Sequence, residues 1–186
     1  IRHLLDGGVH GLFMLGTTSE CVFLTAAQRA EVLEVAMAEA RGRVPIVAGI
    51  LDATTDHCIA HARQAKALGV DGLVLFNPFY QPDIDVEELQ VRRQIHLSSS
   101  AELPLRLVWL AMLSPKVKAS LACTGGVHTV TDVVQSVMAG AHAIQLVSPL
   151  LKRGPSHIAT LRQELAQWLE EHEYHSLRQA QGSMNL

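Results

Sequence analysis

The chain has 186 residues, of which 48% are hydrophobic and 18% are charged, and its formal net charge is -3. This length allows one well-buried core but is short for two independent domains, so we expect a single α/β domain over residues 1–186. The lysines and arginines are scattered rather than clustered, which argues against nucleic-acid or anionic-membrane partners and favours a small-molecule ligand.

Cysteine usage and hydropathy limit the compartment. The cysteines Cys21, Cys58 and Cys123 are odd in number and widely spaced, which predicts reduced thiols and a cytoplasmic location. No apolar run is long enough for a membrane span, and no charged-then-apolar leader is present, so we predict neither a span nor a secretory signal. The chain begins at Ile1 inside a helical pattern, and we expect further sequence upstream.

Short apolar runs rich in β-formers alternate with stretches of helical period, which predicts βα units on a parallel sheet. A capping box of Thr25 and Gln28 marks the start of the first long helix, and Gly69 ends the next one. The predicted strands cover residues 11–16, 45–50, 70–77, 117–123 and 143–147. The predicted helices cover residues 1–5, 25–41, 55–68, 104–113, 131–139 and 156–172. Residues 91–97 fit either an extended piece or a helix.

The five strands are apolar throughout rather than alternating, which is typical of a parallel sheet buried on both faces. A closed (β/α)8 barrel uses roughly 250 residues and at least about 200, so five βα units cannot close one. The fold class is therefore α/β, either an incomplete TIM barrel or an open flavodoxin-like sheet. An incomplete barrel leaves two unpaired strand edges, so we expect a homo-oligomer that forms through these exposed sheet edges.

Polar and glycine residues follow each predicted strand. Ligands of parallel α/β folds gather at the carboxyl ends of the strands, so these residues predict a ligand-binding rim. The same residue types also form ordinary turns and helix caps. The rim residues are Gly16 to Glu20, Gly49, Asn77, Thr124 to Gly126, and Ser148.

The loops after the last two strands carry Thr124-Gly125-Gly126 and Val147-Ser148. Glycines let backbone amides approach a ligand closely, and amides at a helix N-terminus favour an anion, so the two loops could clamp a phosphate. Lys152 or Arg153 could add positive charge. The alternative is a pair of tight turns in which Gly126 packs against a helix, and the residues alone leave both interpretations open.

Residues 1 to about 82 resemble the dihydrodipicolinate synthase and N-acetylneuraminate lyase family of pyruvate-dependent class I aldolases. The motifs that carry the resemblance are GLFMLGTTSE, RVPIVAGI, ALGVDGLVL and PFYQP. It implies that Thr17 and Thr18 receive a pyruvate carboxylate and that Tyr80 takes part in proton relay. The turn here reads GTTSE, whereas GTTGE is commoner in that family.

Residues from about 66 to 186 resemble the C-terminal part of dihydroorotate dehydrogenase-like flavoproteins, through GLVLFNPFYQPDID, VKASLACTGGVHT and AGAHAIQLVSPLLKRGP. The resemblance implies FMN as cofactor, with its phosphate held by Gly125, Gly126 and Ser148 together with Thr124 and Val147. It also implies that Asn77 lies near the flavin or substrate. Because LVLFNPFYQP fits both families, we interpret the chain as a hybrid of aldolase-type barrels. Residues 1–82 are its aldolase-like part and residues 83–186 its dehydrogenase-like part.

Both resemblances lack parts of the expected chemistry. A Schiff-base aldolase needs a desolvated lysine inside the barrel, and none of the four lysines of this chain matches the strand-borne lysine of that family. The base and the flavin-contacting lysine of the dehydrogenases belong to units upstream of the matched region. The favoured hypothesis is an FMN-phosphate-binding oxidoreductase remnant that is catalytically incomplete. A pyruvate-dependent lyase using Thr17 and Tyr80, and a non-catalytic half-barrel, are the alternatives.

His57 and His61 have the spacing of a two-histidine metal pair on a helix. The sequence offers no evident third ligand, so we predict no metal site and expect a solvated helix face. His128 follows the glycine pair and could approach a ligand, although a loop histidine at that place is equally ordinary. Trp109 and Trp168 lie at helical positions with apolar neighbours, which predicts that both are core residues.

Overall fold

The computed structural model of the protein describes residues 1–76, 83–92 and 96–184, without the side chains of Thr18 and Arg92. The strands are β1 (Leu12–Met14), β2 (Ile46–Gly49), β3 (Gly72–Leu75), β4 (Asp83–Asp85), β5 (Gln90–Arg92), β6 (Ser120–Thr124) and β7 (Ala143–Gln145). The α-helices are α1 (Arg2–Asp6), α2 (Ala26–Ala40), α3 (Thr55–Ala67), α4 (Leu103–Leu113), α5 (Val130–Met138), α6 (Ser148–Arg153), α7 (His157–Glu171) and α8 (Leu177–Ala180).

Five strands form one sheet in the order β1-β2-β3-β6-β7, and each neighbouring pair is parallel. The strands therefore lie side by side in chain order, as they do in a TIM barrel, and the sheet curls into a half-barrel. A flavodoxin-like sheet would place its first strand inside the order. The prediction of an incomplete barrel is confirmed, and the open flavodoxin-like alternative is wrong.

Threonines start three of the helices by the same mechanism. Thr25 accepts a hydrogen bond from the Gln28 N–H, and the Gln28 side chain accepts one from the Thr25 N–H at 2.9 Å, which confirms the predicted capping box. Thr54 and Thr129 cap α3 and α5 through their side chains. Each cap satisfies an N–H group that the first helical turn leaves without an intrahelical partner. The caps therefore fix where the helices begin above the sheet.

The core lies between the sheet and the helices. Met14, Ala48, Leu73 and Leu121 lie in register across β1, β2, β3 and β6, and the last three are buried. Met14 on the edge strand β1 is only half-buried, as is Ile144 on the opposite edge. The outer strands lack a neighbour on one side, so side chains on both edge strands of the half-barrel lose cover.

The sheet is continuous across the two parts of the predicted hybrid, because β3 and β6 pair directly. Between them, β4 and β5 form a separate antiparallel pair, so the first residues of the 91–97 segment take the extended alternative. Residues 77–82, which include the predicted site residues Asn77 and Tyr80, lie outside the described residues, as do residues 93–95. The strands are otherwise found where the sequence predicts them, although they are shorter.

Two local predictions are corrected. Ser148 and the residues after it form helix α6 rather than a simple turn. Trp168 is not a core residue: it is half-buried on α7 and stacks on His172 and Tyr174, with ring centroids 4.2 and 5.5 Å away. Trp109 does pack against the core. Among the described residues, no helix combines the length and apolar character that crossing a bilayer requires.

Candidate functional site

Two loops and a helix meet at Ser98, near the carboxyl ends of β6 and β7. The Ser98 N–H donates to Ser148 Oγ at 3.0 Å, and the Ser98 carbonyl accepts from Lys152 Nζ at 2.8 Å. The Ser98 hydroxyl lies 3.1 Å from His128 Nε2. We call Ser98, His128, Ser148 and Lys152 the Ser98 cluster. It joins the loop before α4, the loop after β6 and the first turns of α6.

Asp132 on α5 stabilises the Ser98 cluster through hydrogen bonds to neighbouring loop residues. Asp132 Oδ2 accepts hydrogen bonds from the backbone N–H groups of His128 and Thr129, both at 2.9 Å, and from the Ser100 hydroxyl at 2.7 Å. Burial alone would raise the pKa of Asp132, but these hydrogen bonds outweigh it and the pKa is lowered. The carboxylate is therefore ionised near neutral pH and fixes the backbone of the His128 loop.

His128 is buried, with 7% of its surface exposed. Burial lowers its pKa, and the nearby Lys152 ammonium adds to this effect, while Asp132 opposes it. Its backbone carbonyl lies 3.0 Å from His157 Nε2. A neutral imidazole can donate a hydrogen bond from one nitrogen, and both His128 and Lys152 place a nitrogen beside Ser98.

Gly125 and Gly126 have φ angles of 81° and 87°, a region that side-chain-bearing residues rarely adopt. A Cβ on Gly126 would lie 2.7 Å from the Leu103 backbone nitrogen, and one on Gly125 would lie 3.3 Å from Arg106 Nη2. Close packing against α4 therefore accounts for both glycines. It also places the loop backbone beside the guanidinium of Arg106.

Arg106 is buried on α4, with 3% of its surface exposed. Its Nε donates to the Phe76 carbonyl at 3.1 Å, and its Nη1 donates to the Glu102 carbonyl at 2.6 Å. Burial lowers the pKa of this guanidinium, and Glu102 opposes the shift. Arg106 thereby links the end of β3 to the glycine loop after β6 and brings positive charge to the rim.

The rim after β1 is built around a second buried arginine. Residues Thr17–Ser19 form a 3₁₀ turn. Arg29 on α2 is 1% exposed and donates from Nη1 to the Cys21 carbonyl at 2.8 Å and from Nη2 to the Gly49 carbonyl at 2.9 Å. Because β1 and β7 are opposite edges of the sheet, the Thr17 turn and Ser148 lie on opposite sides of the half-barrel.

Gly49 at the rim serves packing. A Cβ at this position would lie 2.2 Å from the Leu15 carbonyl oxygen, so the β1 turn crosses directly over it and only glycine fits.

Thr124 is 7% exposed at the end of β6, whereas Val147 is 66% exposed ahead of α6. The two predicted phosphate loops thus sit on neighbouring strands, in which Thr124 and Gln145 lie in register.

Sequence reasoning missed Ser98, Arg106 and Arg29. A signal for the first was the serine run before Glu102, because Ser99 and Glu102 form a capping box in which the Ser99 N–H donates to Glu102 at 3.1 Å. A signal for Arg106 was its place as the one charged residue in the apolar sequence LPLRLVWLAML, since such a charge needs buried partners. Arg29 follows no comparable pattern.

Asp52 pairs with both histidines on α3. The sequence alone indicated no third residue beside this histidine pair. His57 Nδ1 lies 3.0 Å from Asp52 Oδ1, and His61 Nε2 lies 2.9 Å from Asp52 Oδ2. Burial alone would raise the pKa of Asp52, but the hydrogen bonds from His61 and His57 outweigh it and lower the pKa to about 2. Within the described residues, no three metal-ligating side chains are arranged to hold a metal ion.

None of the four lysines lies on a strand. Lys66 is exposed at the end of α3, Lys116 and Lys118 are exposed ahead of β6, and Lys152 is exposed on α6. The amino end of β6 is opposite the rim, so Lys152 is the lysine nearest to the candidate ligand site. Its contact with Ser98 places it near the loops after β6 and β7 rather than at the Thr17 turn.

Comparison with known proteins separates sequence likeness from fold likeness. The model of the dihydrodipicolinate synthetase family matches residues 1–108. An uncharacterized DapA-like lyase of Halobacterium salinarum is 42% identical over 81 residues, which are 44% of this chain and 27% of that protein. A 4-hydroxy-tetrahydrodipicolinate synthase of Methanospirillum hungatei is 40% identical over 80 residues, 43% of this chain and 28% of that protein. These alignments thus span little more than a quarter of either relative.

The fold likeness extends over nearly the whole chain. The ligand-free dihydroorotate dehydrogenase (DHODH) of Eimeria tenella superposes with a TM-score of 0.67 at 17% identity, covering 84% of this chain and 49% of that one. The complex of the same enzyme with ferulenol gives a TM-score of 0.72 at 18% identity, covering 94% and 54%. The chain spans about half the length of these structures. At such identities the likeness shows a shared fold, which agrees with a hybrid of two barrel families.

Proposed function

The chain belongs to the dihydrodipicolinate synthetase family, and we propose that it is a catalytically incomplete half-barrel that binds the phosphate group of FMN at the Ser98 cluster. The protein is then an oxidoreductase-like remnant rather than a working lyase. The glycine loop after β6, the first turn of α6 and the loop that carries Ser98 form the phosphate site. Gly125, Gly126 and Ser148 contribute backbone amides, and Lys152 contributes charge.

The observation that carries this proposal is the convergence of Lys152, His128 and Ser148 on a single serine. Lys152 Nζ donates to the Ser98 carbonyl, and His128 Nε2 lies within hydrogen-bond distance of its hydroxyl. A phosphate offers several acceptor oxygens, so a small rotation of Lys152 and His128 would direct both groups to it. Charge-assisted hydrogen bonds of this kind are stronger than neutral ones. The motifs VKASLACTGGVHT and AGAHAIQLVSPLLKRGP resemble those of dihydroorotate dehydrogenase-like flavoproteins, and this resemblance favours FMN as the source of the phosphate.

Incomplete catalysis is supported by the positions of the lysines. Schiff-base chemistry needs an amine that is desolvated and close to the bound carbonyl compound, whereas all four lysines are exposed and off the strands. Cys123, on β6, is buried and its pKa is raised by that burial, so it is a neutral thiol and a poor base. Among the described residues, the lysines and Cys123 therefore supply no nucleophile for Schiff-base or thiolate chemistry at the rim.

Titration of the full chain with FMN and riboflavin, followed by flavin fluorescence, tests the proposal. The two ligands differ by the phosphate, so we expect FMN to bind at least about tenfold more tightly, in keeping with one charge-assisted contact. Lys152→Gln should abolish most of this difference. Lys118→Gln, which removes an exposed lysine at the opposite end of the sheet, should leave it unchanged. Equal binding of FMN and riboflavin, or no binding of either, would overturn the proposal.

A pyruvate-dependent class I lyase is the second candidate, and the family match over residues 1–108 favours it. In that case Thr17 and Thr18 would receive the pyruvate carboxylate, and Tyr80 would relay a proton. Incubation with pyruvate and borohydride would then add a reduced pyruvyl group to one lysine. An unchanged mass excludes this candidate. If the chain binds no flavin and borohydride traps no pyruvate on a lysine, a non-catalytic half-barrel is the hypothesis that remains.

A further inference from the structure

A cavity lies away from the Ser98 cluster, between α3 and α4 on the helix-covered side of β3. Its volume is about 190 Å³. Leu75 and Phe76, at the end of β3, line it together with apolar side chains of both helices. The helical lining residues are Cys58, Ile59 and Ala62 on α3 and Leu105, Trp109 and Leu113 on α4.

The side chains that line the cavity differ in size. Protein interiors are normally filled to crystal-like density, but here a gap remains between α3, which contributes the small residues Cys58 and Ala62, and α4, which contributes the large residues Trp109 and Leu113. The gap stays open to solvent beside Leu105, which is 55% exposed. An apolar molecule that filled the gap would gain contacts with both helices and with the aromatic ring of Trp109.

The described lining of the cavity carries one charge. Among the described residues that line it, Asp52 is the one charged side chain. Its Oδ1 accepts from the Ala53 N–H and pairs with His57 Nδ1, while its Oδ2 pairs with His61 Nε2. A carboxylate has about four lone-pair positions, and three are engaged by these described partners. The remaining position, on Oδ2, can accept one further donor.

We propose that the cavity between α3 and α4 binds a small primary amine with an aromatic or branched aliphatic body. The apolar body packs against Leu75, Trp109 and Leu113, and the ammonium group donates to Asp52 Oδ2. An anionic ligand is disfavoured because its charge would face the Asp52 carboxylate. The site shares no residue with the Ser98 cluster and does not depend on flavin binding.

Trp109 provides a direct readout. The chain has two tryptophans, so Trp168→Phe leaves Trp109 as the single fluorescent indole in the full chain. Titration with 2-phenylethylamine at neutral pH should change its fluorescence. The isosteric 2-phenylethanol, which fills the same volume without the charge, should bind at least about tenfold more weakly, in keeping with the loss of one charged hydrogen bond.

Variants then separate the two halves of the site. Asp52→Asn should remove the preference for the amine over the alcohol, whereas Asp56→Asn, at an exposed carboxylate in the first turn of α3, should keep it. Ala62→Leu should fill the cavity and abolish binding of both ligands, and its thermal melting shows whether the fold is retained. If Ala62→Leu does not fold, Leu113→Ala provides the second test, because an enlarged cavity should favour a bulkier amine. Equal binding of amine and alcohol, or a fluorescence that neither ligand changes, would overturn the proposal.

Discussion

The hydroxyl oxygen of Ser148 accepts a hydrogen bond from the backbone N–H of Ser98 over 3.0 Å, although the two residues are 50 positions apart in the chain. The contact ties the loop before α4 to the first turn of α6. Since Lys152 on the same helix binds the Ser98 carbonyl, α6 holds both backbone polar groups of one residue. The loop is thereby fixed over the ends of β6 and β7.

Ser148→Ala should release this loop. The Ser98 N–H loses its acceptor, which costs about 1 kcal/mol for a neutral hydrogen bond, so we expect amide exchange at Ser98 to accelerate by roughly fivefold. Hydrogen–deuterium exchange of the peptide that contains Ser98 measures the effect. Ser156→Ala is the matched control, because Ser156 also lies at the start of a helix but its side chain makes no capping bond. Equal protection in both variants would show that Lys152 alone holds the loop.

Gly126→Ala should destabilise the protein more than Gly42→Ala does. Both glycines have positive φ angles, 87° and 71°, and alanine pays a similar backbone penalty at each, on the order of 1–2 kcal/mol. A Cβ at Gly42 meets nothing within 4 Å, whereas one at Gly126 would lie 2.7 Å from the Leu103 nitrogen. The overlap adds roughly 1–3 kcal/mol. Urea denaturation of the two variants gives the difference in their free energies of unfolding. Equal losses of stability would mean that α4 shifts to accommodate the added methyl group without a free-energy cost.

Asp52 should stabilise the protein above pH 4 and lose this effect in acid. Its pKa falls from 3.8 to about 2 on folding, so the folded state releases the proton more readily, and the stabilisation is complete above the unfolded value. It is lost as the pH falls from 3.8 through 2. Because 22% of the carboxylate is exposed, we discount the shift for screening and expect about 1 kcal/mol.

Asp52→Asn tests this pH dependence. The free energy of unfolding should fall by that amount at pH 7, and the variant and the parent should converge near pH 2. Asp56→Asn, at an exposed carboxylate in the first turn of α3, controls for the removal of charge. A stability gap that stays constant between pH 7 and pH 2 would show that Asp52 acts through packing rather than through its ionised carboxylate.

Local signals were sufficient for most of the secondary structure. The Thr25–Gln28 capping box and Gly69 mark helix ends through contacts within a few residues, so the sequence alone could place them. Segments whose form depends on distant partners were harder to assign. Residues 90–92 are extended because they pair with β4, and Trp168 packs on His172 and Tyr174 instead of the core. Neither pairing leaves a periodic pattern.

The sequence by itself determined the α/β class, the number of parallel strands and the rim on which Gly125, Gly126 and Ser148 lie, because hydrophobic period and turn residues act locally. Only the tertiary structure decided the order of the strands, which made the sheet a half-barrel. Only it brought Ser98 to Ser148 and to His128. These are contacts between residues separated by a loop or by whole βα units, and their geometry follows from how helices and strands pack, which no short stretch of sequence encodes.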